Sequence, residues 1–111
     1  MTLEELYEKA VEAWGERAQL LKTVEEAGEL QKAIARYLLK TGKYLSEDTH
    51  PEFDTWEVGA LLVDLMEEVA DVEIMIGQIK AAFSWHADLY ELCRMEKELN
   101  LRRLLAVEGS A

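Results

Sequence analysis

Two segments of this 111-residue chain carry acidic residues in the same pattern, EEAGE at 25–29 and EEVAD at 67–71. On a helix, positions i and i+3 share a face, so Glu26 pairs with Glu29, and Glu68 pairs with Asp71. Two facing helices would bring the four carboxylates together, where they repel one another unless cations bridge them. Ligation by oxygen alone favours hard cations, so the pattern predicts a Mg²⁺ site at which Mn²⁺ could substitute.

Glu68 lies within the most apolar helical stretch of the chain, residues 55–82. Apolar residues occupy the same helical face: Leu61, Leu65, Val72, Met75 and Ile79. A buried carboxylate without a partner costs several kcal/mol, so Glu68 requires either a basic side chain or a metal ion beside it. Glu26 also borders semi-buried positions: Gln19, Leu30, Ala33 and Tyr37.

The acids also have simpler interpretations. Glu25 and Glu67 project away from the apolar stripes and are typical of solvated helix faces with lysine partners. A di-iron bundle would usually show Glu-x-x-His, and neither His50 nor His86 stands in that spacing. Glycine-rich phosphate loops, Cys/His metal patterns and serine nucleophile motifs are absent from the sequence.

The elements that must position these acids are helices. Thr2 and Glu5 have capping-box spacing at the start of a first helix that Gly15 should end. A second helix is predicted over 17–40, with an apolar stripe of Leu20, Val24, Ala27, Ile34 and Leu38. Residues 42–54 lack any periodicity and predict a loop after a cap at Gly42, either a binding loop or a plain connection.

The third helix should span 55–82, and Phe83 to Trp85 should break the pattern before a last helix that ends near Val107. We therefore expect an all-α, four- to five-helix bundle-like domain in which two long antiparallel helices carry the acids. A helix of about 28 residues is roughly 42 Å long, more than a chain of this size can cover by itself. Part of its stripe should therefore meet another copy in a dimer or tetramer.

Composition limits the classes of function. Half of the residues are hydrophobic, with one proline and six glycines, which indicates a single domain over 1–111. The net charge of −11 opposes binding to nucleic acid or to an anionic membrane surface. The lone Cys93 can form no internal disulfide, and no leader or membrane-spanning run is present, so we expect a cytoplasmic protein.

With these motifs, the chain resembles the MazG-like superfamily of all-α nucleoside triphosphate pyrophosphohydrolases. The resemblance rests on EEAGEL and EEVADV and covers the rest of the chain only in outline. It implies that Glu26, Glu29, Glu68 and Asp71 bind Mg²⁺. It also implies hydrolysis of a (d)NTP to a (d)NMP and pyrophosphate, typical of nucleotide-pool sanitation. The spacer between the motifs, residues 30–67, is longer than is common in the family.

The resemblance further suggests which residues contact the substrate. Glu25 or Glu29 would orient or deprotonate the attacking water. The last helix gathers basic side chains, and Lys97, Asn100 and Arg103 would contact the phosphates unless they simply pair with Glu96 and Glu98. Candidate contacts to the base are Gln19, Trp14 and Trp56, with core packing or capping as the alternative for each.

Two other functions remain open at this stage. The same acids would serve a phosphoribosyl-ATP pyrophosphohydrolase acting on a different nucleotide. A non-catalytic helical interaction module would explain the amphipathic helices, although it leaves the acids within an apolar face unexplained.

Overall fold

The computed structural model describes residues 1–41 and 56–110, and this part of the chain contains four α-helices, one 3₁₀ turn and no strand. The helices are α1 (Leu3–Trp14), α2 (Glu16–Thr41), α3 (Trp56–Ala82) and α4 (Ala87–Ser110), and the turn is Ser84–His86. The all-α prediction is confirmed. The cap at Gly42 and the loop predicted for 42–54 lie outside the described residues.

The ends of α1 follow the sequence signals. The Thr2 hydroxyl accepts a hydrogen bond from the Glu5 N–H at 3.1 Å, as an N-cap should. Gly15 ends the helix with a φ of 87°, a conformation that favours glycine, and donates to the Val11 carbonyl. Its own carbonyl accepts from the Gln19 N–H, so one residue ends α1 and begins α2.

Helices α2 and α3 pack along each other and carry the principal core. Lys40 near the end of α2 reaches Glu57 at the beginning of α3, with 3.7 Å between charged atoms. Among the described residues, the buried apolar side chains are Ala33, Val58 and Met75. The stripe predicted around Glu68 on α3 is confirmed, since its five apolar members are all buried or half-buried.

Four of the five residues in the apolar stripe predicted for α2 face outward, and only Ala27 is half-buried. Leu20, Val24, Ile34 and Leu38 are all exposed, and Val24 is 71% accessible. The inward face of α2 is instead more polar: Gln19, Thr23, Glu26, Leu30, Ala33, Tyr37 and Thr41. Thr23 can be accommodated there because its hydroxyl donates to the Gln19 carbonyl one turn earlier, at 2.8 Å. The helix therefore turns its acid toward α3 and leaves its most apolar face uncovered.

Helix α1 lies close to α3 where the ring of Tyr7 covers Gly77. A Cβ atom on Gly77 would stand 2.6 Å from Cζ of Tyr7, a separation that real Cβ atoms essentially never show. The close approach of the two helices therefore depends on the missing side chain at this position.

We expect Gly77→Ala to destabilise the protein. Overpacking against Tyr7 costs about 1–3 kcal/mol, whereas the better helix propensity of alanine returns at most about 1 kcal/mol. Gly59→Ala on the same helix is the matched control, because a Cβ there meets nothing within 4 Å and should be neutral or stabilising. Urea unfolding of both variants checks this, and equal stabilities would contradict the close contact.

Helix α4 follows the 3₁₀ turn directly and makes few contacts with the other helices, and the Lys80 ammonium of α3 lies 4.3 Å from the centre of its Tyr90 ring. Leu92, Met95 and Leu104 along it are between 57% and 66% exposed. The radius of gyration is 18.2 Å, against about 13 Å for a compact domain of this length. Within 1–41 and 56–110, no helix combines the length and apolar character that crossing a membrane requires.

Candidate functional site

Helices α2 and α3 bring three of the predicted metal ligands together. One carboxylate oxygen from each of Glu26, Glu68 and Asp71 lies within 4.8 Å of those from the other two. Glu26 comes from the inward face of α2, and Glu68 and Asp71 lie on adjacent turns of one face of α3. Glu26 and Glu68 are half-buried and Asp71 is exposed, so the cluster opens to solvent at one side.

Glu68 is the least satisfied member of this carboxylate cluster. Its Oε2 atom is buried and has no hydrogen-bond partner. Removal of the carboxyl from water raises the pKa of Glu68, and the charges of Asp71, Glu26, Glu29 and Glu67 raise it further. The position therefore favours either a proton or a cation, and a metal cation is one of the two partners predicted from the sequence.

This shift gives the metal-free protein a pH dependence. Because the pKa of Glu68 is higher in the folded state, the folded chain binds the proton more readily than the unfolded chain does. The stability that Glu68 contributes is therefore fully present below the ordinary glutamate pKa and is lost as pH rises through the raised value. We expect the melting temperature of wild type, relative to Glu68→Gln, to fall across this range in metal-free buffer. A difference that stays constant with pH would contradict the shift.

A lysine outside the predicted set of site residues borders the cluster. The Lys22 ammonium lies 3.2 Å from Glu26 and 3.5 Å from Glu25, and both acids raise the pKa of Lys22. The signal was present in the sequence, since Lys22 stands one turn before Glu26 on the same face. Its side chain is half exposed, so it can turn away when a cation takes Glu26.

Glu29 stands beside the cluster without being one of its three members. Its side chain is 48% exposed and lies 3.8 Å from the Lys32 ammonium. Its charge still acts on Glu68, where it contributes to the raised pKa. Glu25 is 64% exposed and lies on the Lys22 side. Glu25 and Glu29 were both predicted to activate the attacking water, and Glu29 is the one whose charge acts on the cluster.

The donor set of the cluster fits a hard divalent cation. Mg²⁺ binds oxygen at about 2.1 Å, so the ligands of one ion lie no more than about 4.2 Å apart. The oxygens of Glu26, Glu68 and Asp71 already lie within 4.8 Å of one another, and small side-chain movements would bring them to that spacing. A cation would also provide the buried Glu68 Oε2 with the partner that it lacks.

The residues predicted to contact the substrate are less closely grouped. Lys97, Asn100 and Arg103 are exposed on α4, and no described contact joins them to the carboxylate cluster within this chain. Nearby, Glu98 binds Arg94 at 2.7 Å and Arg102 at 3.0 Å.

Among the candidate base contacts, Gln19 is buried with 4% exposure, which agrees with either of its two interpretations. Trp14 and Trp56 are 67% and 94% exposed, which excludes the core interpretation for both tryptophans.

Searches against protein-family models, curated proteins and solved structures find no significant match to this chain. The case for a function therefore depends on the residues and their geometry.

Proposed function

We propose that this protein is a Mg²⁺-dependent nucleoside triphosphate pyrophosphohydrolase that converts a (d)NTP and water to a (d)NMP and pyrophosphate. The observation that carries the proposal is the meeting of Glu26, Glu68 and Asp71, with the buried Oε2 of Glu68 lacking a partner. Carboxylates crowded in this way repel one another, and this arrangement is understandable if its purpose is to hold a cation. The resemblance of the two acidic motifs to the MazG-like superfamily supports the same activity.

The proposal takes α2 and α3 as an antiparallel pair. Two contacts support this: Glu26 in mid-α2 meets the middle of α3, and Lys40 near the end of α2 meets Glu57 at the beginning of α3. Moving forward along α2 therefore corresponds to moving backward along α3. In this arrangement Glu29 lies one turn from Glu26, on the side toward the start of α3.

Each acidic residue has a separate role in the proposed reaction. Glu26, Glu68 and Asp71 hold Mg²⁺, with Glu29 as a fourth carboxylate at the edge of the site. When bound there, Mg²⁺ would supply positive charge to offset the negative charge developing on the leaving oxygen and would make water at the site more acidic. Glu29 orients and deprotonates the attacking water, a role for which its position favours it over Glu25. The water oxygen bonds to the α-phosphorus, the bridging P–O bond breaks, and pyrophosphate leaves.

The test is pyrophosphate release from a panel of the common NTPs and dNTPs together with phosphoribosyl-ATP, with and without Mg²⁺. We expect Mg²⁺-dependent release from at least one nucleoside triphosphate. Release from phosphoribosyl-ATP alone would favour the biosynthetic alternative, which uses the same acids. No release from any nucleotide would favour the non-catalytic helical module and contradict the proposal.

We also propose that the active protein is a homo-oligomer. Apolar surface remains uncovered in one chain along the outer stripe of α2, along α4, and at Val63, Met66 and Ile76 of α3. Exposed apolar surface of this extent favours association, and a second copy is the occupant already indicated by the length of α3. Light scattering at micromolar concentration should return a dimer or tetramer mass. A mass near the 12.7 kDa of one chain would contradict this prediction.

A matched pair of variants locates the interface. Leu38→Glu places a charge on the outer stripe of α2 and should dissociate the oligomer, because a buried unpaired charge is costly. Lys32→Glu, on an exposed polar position of the same helix, is the control and should leave the mass unchanged.

A further inference from the structure

An apolar groove lies between α1 and α3 on the same side of α3 as Asp71. It has a volume of about 390 Å³, and Tyr7, Ala10 and Trp14 of α1 line it together with Ile74 and Gln78 of α3. This volume is within the range of small-molecule sites. Its lining is mostly apolar, although Lys9 also lines it, together with one side-chain amide.

That amide is the Gln78 side chain. Gln78 is only 7% exposed, and its Oε1 atom has no hydrogen-bond partner. A buried acceptor without a donor lowers stability, so a glutamine at this position requires a reason. A leucine or methionine would fill the same space at lower cost. The groove therefore contains one hydrogen-bond acceptor that nothing in the described chain uses.

The groove and the carboxylate cluster lie along one face of α3. Asp71, Ile74 and Gln78 follow one another at intervals of three and four residues, which places them on one face of α3. Gln78 lies two turns from Asp71, roughly 10 Å along the axis. That separation is comparable with the length of one nucleoside. A nucleotide whose phosphates are held at the cluster could therefore place its base in the groove.

The pairing of α2 with α3 places a second buried amide, that of Gln19, at the level of Gln78. The register that sets Glu26 against Asp71 and Lys40 against Glu57 also sets Gln19 against Gln78. Gln19 is likewise buried, with 4% exposure. Trp14, at the mouth of the groove, is largely exposed and offers an aromatic surface that a planar ring could cover.

We propose that this groove is the base subsite of the nucleotide substrate and that Gln78 determines which bases are accepted. The inference rests on the function proposed above. Rotation of the buried Gln78 amide toward the groove lets its Oε1 atom accept a hydrogen bond from a ring N–H or an exocyclic amino group, and the apolar walls enclose the ring. Because the site is built to bond a donor, it rejects a base in which that donor is blocked.

Gln78→Met makes a distinctive test, since methionine keeps the length of the side chain and removes the acceptor. The free variant should melt at a higher temperature than wild type, because a buried unpartnered acceptor has been removed. Binding of the base should weaken at the same time. A glutamine with a purely structural role would show the opposite, a loss of stability with base binding unchanged. Gln31→Met, on an exposed position of α2, is the matched control for both measurements.

The binding experiment uses free nucleosides in metal-free buffer, so its result does not depend on the carboxylates or on hydrolysis. Replacement of Trp56 and Trp85 by Phe leaves Trp14 as the single tryptophan, whose fluorescence reports the groove. We expect saturable quenching by at least one common nucleoside at millimolar concentration. Gln78→Met should weaken that binding at least about tenfold, and Gln31→Met should not. Methylation of the donor nitrogen on the preferred base should weaken binding to wild type by a similar factor.

The outcomes separate this proposal from the one on which it rests. Saturable nucleoside binding that depends on Gln78 supports the subsite even if no triphosphate is hydrolysed. Nucleotide hydrolysis without such binding, or with binding that is equal in wild type and Gln78→Met, overturns the subsite and leaves the hydrolase intact.

Discussion

Glu68→Gln or Asp71→Asn is expected to reduce Mg²⁺-dependent pyrophosphate release at least about 100-fold. Each change removes a ligand from a cluster of only three carboxylates, and metal stabilisation of the transition-state charge supplies several kcal/mol. The fold should persist, because both substitutions keep the size of the side chain and relieve repulsion. Far-UV circular dichroism should therefore be the same as in wild type.

Glu67→Gln is the matched control for this loss. It changes the charge by the same amount on the next residue of the same helix, but Glu67 is exposed and lies outside the cluster. Its activity should remain within a few-fold of wild type. Activity of Glu68→Gln or Asp71→Asn at the level of Glu67→Gln would remove those residues from the site.

The sequence predicted the helices well because their signals are local. The Thr2 cap, the positive φ at Gly15 and the break after Ala82 each depend on a few neighbouring residues, and each is found where expected. The inward face of α3 was also predicted correctly, since its five predicted members are buried or half-buried, although Val63, Met66 and Ile76 leave further apolar surface exposed.

The inward face of α2 could not be found by the same rule. Its largest apolar residues, among them Leu20 and Val24, point outward, and its core-facing row includes Gln19, Thr23 and Glu26. Hydrophobicity reports which surface avoids water, but it does not say whether that surface meets the same chain or a second copy. The observation that did indicate the correct face was the position of Glu26 beside Leu30 and Ala33.

For the candidate site as well, the residues set by local spacing were predicted and the others were missed. Spacing on single helices placed Glu68 beside Asp71, and the repetition of the motif placed Glu26 with them. Lys22 and Gln78 were missed, because a lysine and a glutamine on a helix are ordinary. Only burial and the lack of a partner make the Gln78 oxygen unusual. Positions of Lys97, Asn100 and Arg103 depend on where α4 packs, which local pattern does not determine.

Addition of Mg²⁺ or Mn²⁺ should raise the melting temperature of wild type and have little effect on Glu68→Gln. Binding to the folded state stabilises it by RT ln(1 + [M]/Kd), about 1.4 kcal/mol for each tenfold excess over Kd. For a domain of about 100 residues, each 1 kcal/mol corresponds to roughly 4–8 °C. The effect arises because the unfolded chain does not hold Glu26, Glu68 and Asp71 together.

Without metal, we expect Glu68→Gln to be more stable than wild type. Burial and the charges of four neighbouring acids oppose ionisation of Glu68, and Glu68→Gln removes this cost. The variant should therefore melt above wild type without metal and gain less when metal is added. Glu67→Gln, at an exposed position, should keep the metal response of wild type. Measurements at matched ionic strength separate specific binding from general screening by salt. Equal metal-induced shifts in wild type and Glu68→Gln would exclude the carboxylate site, and the hydrolase proposal would fail with it.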